Sequence, residues 1–250
     1  MVDQLLTVRQ PIFEVSDVCF AYNEHISALD HVSMRVNAGE KLAILGSNGS
    51  GKSTLLKVLD GLYYPTSGSV CAFAQSLSEQ ALREDAFNYA FRSRVGFVFQ
   101  DSDAQLFMPT VWDEVAFGPL QLGVGRDEVI RRVEAALAAL HIEKLSERAP
   151  HQLSGGEKKR VALASVLSLA PQVWLLDEPS AGLDPRSVAW LVDFIRSQAT
   201  VVLATHDLGL VEAVADRVYV IDESHRIIAE GTCREILSDH DLLVRANLTN

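Results

Sequence analysis

Long apolar runs are missing from this 250-residue sequence: none approaches the ~20 residues that a membrane-crossing helix needs. If the chain serves a membrane, it does so from the side, through a partner. The first ten residues, Met-Val-Asp-Gln-Leu-Leu-Thr-Val-Arg-Gln, hold no basic flank followed by an apolar core, so no secretory leader is expected. Cysteine is scarce. Cys19, Cys71 and Cys233 are scattered, odd in number, and form no CxxC or Cys/His cluster along the chain. A disulfide framework or zinc site is therefore not expected, and a reducing cytosol is. Positive charge is also in deficit, with 22 Lys and Arg against 33 Asp and Glu for a net charge of -11. That balance disfavours nucleic acid or an anionic membrane surface as partner. One basic run, Lys158-Lys159-Arg160, stands against the trend and reads as a solvated helix face. Low-complexity segments and internal repeats are absent.

What remains is an ordinary globular composition, 48% hydrophobic and 22% charged, on a chain long enough to bury a sizeable core. Residues 12–45 read as β-rich, with strand patterns at 13–22, 32–36 and 41–45. A helix is predicted from Lys52 to Leu59, stopping at Gly61. Short β-like runs return from 70 to 100. Residues 103–170 lose their strand signals, and Val129, Val133, Leu137 and Leu140 fall on one helical stripe, the mark of an inserted helical lobe. Strand-helix alternation resumes after Pro171, which argues for a buried, largely parallel sheet.

Residues Gly46-Ser47-Asn48-Gly49-Ser50-Gly51-Lys52-Ser53 match G-x-x-x-x-G-K-[ST] between an apolar strand and a predicted helix. Glycines let the backbone curl so that its N–H groups converge on phosphate oxygens, and the helix N-terminus adds partial positive charge. Lys52 is placed to neutralise the β- and γ-phosphates, Ser53 to ligate Mg²⁺, and Thr54 completes the site. Val173-Trp-Leu-Leu-Asp177-Glu178 is an apolar strand ending in two carboxylates, at the strand end where ligands of an open α/β sheet gather. Asp177 suits the Mg²⁺ shell and Glu178 a general base on the attacking water. Ser154 and Glu157 form an S-x-x-E capping box, but capping does not ask for Gly155 and Gly156. Two bare positions at a helix start also make a landing site for a phosphate from outside.

With these motifs in order, Leu153-Ser154-Gly155-Gly156-Glu157 among them, the chain resembles the ABC ATPase family from about Phe13 to Leu237. The resemblance implies an α/β fold: a P-loop NTPase core with a β-rich N-terminal subdomain and an inserted α-helical lobe. It implies one ATP-binding domain over residues 12–245, with its core in 12–100 and 171–237 and its lobe at about 103–170. By the same resemblance Gln100 is the Q-loop glutamine and an Mg²⁺ ligand, and residues 180–184 form the D-loop. His206 is the switch histidine, and Tyr22 is the aromatic that stacks on adenine. ATP and Mg²⁺ are the implied ligands. The implied partner is a second ABC ATPase, identical or homologous, whose phosphate loop faces Ser154, Gly155 and Gly156.

Residues 99–119, with Gln-Asp-Ser-Asp-Ala-Gln-Leu-Phe at 100–107, are similar to energy-coupling-factor importers of the cobalt/nickel type. Ser102 departs from them, standing where proline is common. That similarity implies a peripheral ATPase at the cytoplasmic face of the membrane, docked on a transmembrane subunit through the Q-loop region. A soluble iron-sulfur assembly ATPase and a vitamin importer are the alternatives.

Overall fold

Period-2 burial builds the first strands. β1 (Pro11–Asn23) buries Phe13, Val15 and Val18, and β2 (Ile26–Asn37) buries Val32, Met34 and Val36 between exposed neighbours. The computed structural model describes residues 11–23 and 26–249. β3 (Lys41–Leu45) is apolar and buried from Leu42 onward, and leads through a glycine-rich loop into α1 (Lys52–Leu59). β4 (Ser67–Ala72) and β5 (Gln75–Ser76) follow.

The β-like reading of residues 70–100 then fails in its middle. Residues 79–92 form two short helices, α2 (Glu79–Leu82) and α3 (Asp85–Arg92), before β6 (Val95–Val98). Ser78 caps α2 by accepting from the Ala81 N–H, and the Phe87 and Phe91 rings, one turn apart on α3, stack at 6.1 Å. Local capping and an i,i+4 aromatic pair outweigh β-propensity there.

Four helices follow: α4 (Ser102–Gln105), α5 (Val111–Gln121), α6 (Arg126–Ala139) and α7 (Gly155–Leu167). α6 buries Val129, Val133, Ala136 and Leu137, the apolar face that its helical period requires. The chain then alternates through β7 (Val173–Asp177), α8 (Pro185–Ser197), β8 (Val201–Thr205), α9 (Leu208–Val214) and β9 (Arg217–Ile221). It ends with β10 (Ile227–Thr232), α10 (Cys233–Ser238) and α11 (His240–Arg245). Among the described residues no helix is long and apolar enough to cross a membrane.

Two sheets result. The first is antiparallel, in the order β2-β1-β4-β5. The second runs β10-β9-β3-β8-β7-β6 and is parallel except for β10. β7 and β8 are buried along their whole length, as expected for central strands covered on both faces. One core joins the antiparallel sheet to α1 and one face of the parallel sheet, through Phe13, Val15, Leu55, Leu59 and Leu175. Another packs α5, α6, α7 and α8 on Trp174, Leu176 and Leu203 of the opposite face. The fold is thus a P-loop-type α/β core carrying a β subdomain and a helical lobe.

Register fixes what matters for a site. Leu45 of β3 pairs with Thr205 of β8, and Asp177 of β7 pairs with Ala204. Three neighbouring strands therefore end side by side, and the segments after each of them converge.

Candidate functional site

Residues 46–51 curl between the end of β3 and the start of α1. Gly51 sits at φ 110°, and a Cβ there would lie 2.2 Å from the Ala28 carbonyl oxygen, so only glycine fits. The Lys52 side chain folds back under the loop, its ammonium donating to the Gly46 and Ser47 carbonyls at 2.8 Å each. It is buried and lies 3.6 Å from Glu178 Oε1. Burial pulls its pKa below the usual lysine range, and the Glu178 carboxylate opposes that shift. The Ser47 and Ser50 hydroxyls are buried without a protein partner. Two orphaned hydroxyls and a buried cation on a curled backbone form a receptor for an oxyanion.

Ser53 donates to Asp177 Oδ1 at 2.8 Å, across from the end of β7. Burial raises the Asp177 pKa, and the Ser53 hydrogen bond works against it. Ser53 and Gln100 line the same cleft and Asp177 is bonded to Ser53; hydroxyl, amide oxygen and carboxylate are hard donors of the kind Mg²⁺ takes, so these residues fit that ion.

Glu178, the residue after β7, is buried and held at φ 40°, a conformation non-glycine residues rarely adopt. Its Oε2 accepts from the Thr205 hydroxyl at 2.9 Å, and its Oε1 lies 2.9 Å from His206 Nδ1. The Lys52 ammonium, the Thr205 hydroxyl and the His206 imidazole therefore meet at the Glu178 carboxyl group.

The open side of this region is a cleft of about 510 Å³ lined by Tyr22, Asn48, Gly49, Lys52, Ser53, Thr54, Gln100 and Glu178. Tyr22 is 50% exposed, packs edge-on against Phe20 and Tyr63, and hydrogen-bonds the Thr54 hydroxyl through its own at 2.8 Å. The cleft also includes Ser27, Ala28 and His225, which sequence reasoning missed. His225 reaches the Ser50 carbonyl from the β9–β10 connection at 3.1 Å. Only the pairing of those strands brings it there, and no local motif announces it.

Ser154, Gly155 and Gly156 are not part of this cleft. Ser154 caps α7, accepting from the Glu157 N–H while the Glu157 carboxylate accepts from the Ser154 N–H, and Gly155 opens the helix. Ser154 and Gly156 line a second cleft of about 720 Å³ with Glu157, Arg160, Asp184 and Ser187. The two clefts share no lining residue.

The basic run at 158–160 is not a solvated face. Lys159 is 3% exposed and donates to the Phe99 and Gln100 carbonyls at 3.2 and 2.9 Å. Lys158 pairs with Asp103 at 2.6 Å, and the Arg160 guanidinium lies 4.3 Å from the Trp190 ring centre. Each side chain faces a different partner because helical rotation separates consecutive residues by about 100°. Asp101, meanwhile, caps α4 through the Asp103 N–H.

Lys159 thus staples the segment at Gln100 to α7. Lys159→Met keeps the apolar stem but strands two carbonyls, so stability is expected to fall by ~1–3 kcal/mol. Urea unfolding checks this: the midpoint drops with an unchanged slope, and an unmoved midpoint would show that the staple contributes nothing.

The ABC transporter family matches residues 29–181. The chain is 46% identical over 245 residues to the nickel import ATP-binding protein NikO of Rhodobacter capsulatus, covering 95% of this chain and 96% of that one. It is 43% identical over 242 residues to the energy-coupling factor transporter ATP-binding protein EcfA of Methanoculleus marisnigri, covering 95% and 85%. Among solved structures it matches CbiO1 of Clostridium perfringens, part of the ABC transporter complex CbiONQ, with a TM-score of 0.79 and 36% identity over 95% of each chain.

Proposed function

Because the chain belongs to the ABC transporter family as an ATP-binding subunit, we propose that it drives an energy-coupling-factor importer of nickel or cobalt ions. The chain is an ATPase coupled to import. The finer reading rests on its likeness to a nickel import ATPase and to CbiO1, together with the Gln-Asp-Ser-Asp-Ala-Gln-Leu-Phe segment. It places the protein at the cytoplasmic face of a membrane, as one of two ATPases docked on a transmembrane subunit.

One observation carries the chemistry: Lys52, Ser53 and Glu178 line a single cleft, with Asp177 bonded to Ser53 and His206 to Glu178. Adenine stacks on Tyr22, and residues 46–54 wrap the phosphates, with Lys52 opposite the β- and γ-oxygens. Ser53, Gln100 and Asp177 would hold Mg²⁺, which would neutralise phosphate charge when bound. Glu178 takes a proton from water as that oxygen bonds to the γ-phosphorus. The bond to the bridging oxygen breaks, and ADP and phosphate leave. His206 keeps Glu178 aimed and contacts the γ-phosphate. Ser154, Gly155 and Gly156 act on the partner's nucleotide, since on their own chain none of them lines the nucleotide cleft and Ser154 and Gly156 open on a separate one.

The deciding experiment co-expresses the chain with its membrane components and measures ⁶³Ni²⁺ or ⁵⁷Co²⁺ uptake into vesicles charged with ATP. Uptake that vanishes with Lys52→Ala is expected. ATP-dependent uptake of a vitamin but of neither ion would overturn the cargo assignment.

Docking has its own test. Asp103 is exposed, so its pair with Lys158 contributes only ~0–1 kcal/mol to stability. Asp101→Ala with Asp103→Ala is therefore expected to leave ATP binding in solution within about twofold. Co-purification of the transmembrane subunit, measured beside it, should fall at least tenfold, because on this reading the two carboxylates pair with cationic side chains of the docked subunit. Undiminished co-purification and uptake would reduce the two acids to a cap and a surface pair.

A further inference from the structure

The antiparallel sheet carries a second cluster of ligating side chains, assembled by two opposed irregularities in the pairing of β1 with β2. Between the pairs Val18–Val32 and Phe20–Leu29, β1 supplies one residue and β2 supplies two, so Cys19 opposes both Asp30 and His31. Between Val15–Met34 and Val18–Val32 the excess is reversed, and Ser16 and Asp17 oppose Ser33. Regular pleating would send Asp30 and His31 to opposite faces; the bulge brings both to Cys19. Asp17 and His31 pay for this with positive φ, 53° and 51°.

One ligand atom from each of Cys19, Asp30 and His31 lies within 4.8 Å of the other two. Cys19 Sγ is 4.0 Å from Asp30 Oδ1, and His31 Nε2 is 3.7 Å from the same oxygen. Tetrahedral sites with metal–sulfur bonds near 2.3 Å and metal–nitrogen or –oxygen bonds near 2.0 Å set ligand atoms about 3.5 Å apart, so small side-chain rotations close the site. The remaining polar atoms are committed elsewhere. His31 Nδ1 lies 2.8 Å from Asp17 Oδ1, which holds the ring proton on Nδ1 and leaves the Nε2 lone pair facing Asp30. A carboxylate behind the imidazole is the usual support of a ligating histidine. Arg226 donates to Asp30 Oδ2 at 2.7 Å, leaving Oδ1 for the cluster.

We propose that Cys19, Asp30 and His31 bind a divalent transition-metal ion, with Asp17 as the residue that orients His31. Thiolate, imidazole and carboxylate together select the zinc, cobalt and nickel class over Mg²⁺ and Ca²⁺. His31 is exposed and Cys19 half-buried, which gives an ion a path in and water the fourth position. None of the four residues lines the nucleotide cleft, so the proposal does not rest on the cargo assignment. Cys19 and His31 are twelve residues apart on different strands, and no CxxC accompanies them.

Co²⁺ titration of the full-length, nucleotide-free protein tests this by the near-ultraviolet absorption that thiolate-to-cobalt charge transfer produces. Equilibrium dialysis with Zn²⁺ supplies the stoichiometry. One equivalent and a charge-transfer band are expected. Cys19→Ser abolishes the band, and His31→Asn, a residue that tolerates the left-handed φ, weakens Zn²⁺ binding at least about tenfold. Asp17→Asn keeps the band but weakens binding, whereas Cys71→Ser and Cys233→Ser change neither. Circular dichroism and ATP affinity certify that each variant is folded. No band at saturating Co²⁺ overturns the proposal, as does a band that survives Cys19→Ser in a folded protein.

Discussion

Glu178→Gln is expected to hydrolyse ATP ~10²–10⁴-fold more slowly than the wild type while still binding it, the usual scale for losing a general base. The amide is nearly isosteric with the carboxylate, so the Thr205 hydroxyl keeps an acceptor and the buried pocket stays filled. What is lost is the basic oxygen beside His206 and the negative charge 3.6 Å from Lys52. Lys52 retains Asp177 as a nearby carboxylate, so its grip on phosphate persists. The variant therefore accumulates in the ATP-bound, closed state, and a two-chain species in Mg-ATP is expected on size-exclusion chromatography. Phosphate release at steady state measures the loss, and nucleotide affinity by equilibrium titration measures what is kept. Turnover within about threefold of wild type would remove Glu178 from the role of base. A tenfold loss of ATP affinity would mean that its carboxylate serves chiefly to hold Lys52.

That prediction was accessible from sequence for a physical reason. Asp177 and Glu178 are consecutive, follow an unbroken apolar strand, and need only the parallel sheet to be carried beside the phosphate loop. The loop is likewise a contiguous string whose geometry is set by its own glycines and by the strand and helix that flank it. Residues brought in by pairing register leave no such trace. His225 reaches Ser50 only because β9 pairs with β3 and β10 turns back on β9. Lys159 looked like one charge in a solvated run, and only the seating of α7 beside the end of β6 reveals it as a buried donor to Phe99 and Gln100. The same limit hid α2 and α3, where a serine cap and one aromatic pair decide between two marginal structures. It also hid the Cys19 cluster, which exists only because two bulges offset β1 against β2. Contiguous chemistry is readable; chemistry made by register is not.

The separation of the two clefts leads to the result with the clearest all-or-none form. A Lys52→Ala chain lacks the cation that underlies its phosphate loop, and a Ser154→Arg chain obstructs the surface it offers to a partner. Each alone is expected to be inactive as a homodimer, because both of its composite sites carry the lesion. When the two are mixed, the heterodimer holds both lesions in one site and leaves the other site wild type. With random association of equal amounts, half of the dimers are mixed and each has one working site, so about a quarter of wild-type ATPase should return if the sites fire independently. Ser154→Arg also removes a helix cap worth ~1 kcal/mol, so Ser154→Ala is the control that loses the cap without the obstruction. If no activity returns, crosslinking separates the causes. A Ser154→Cys chain and a Ser47→Cys chain, each with Cys19, Cys71 and Cys233 replaced by serine, should form a disulfide between chains in Mg-ATP if the clefts face one another. A crosslink without recovered activity means that both sites must be intact to fire. Failure of both the crosslink and the recovery would confine Ser154 to its own chain, and the assignment of Gly155 and Gly156 to a partner's nucleotide would fall with it.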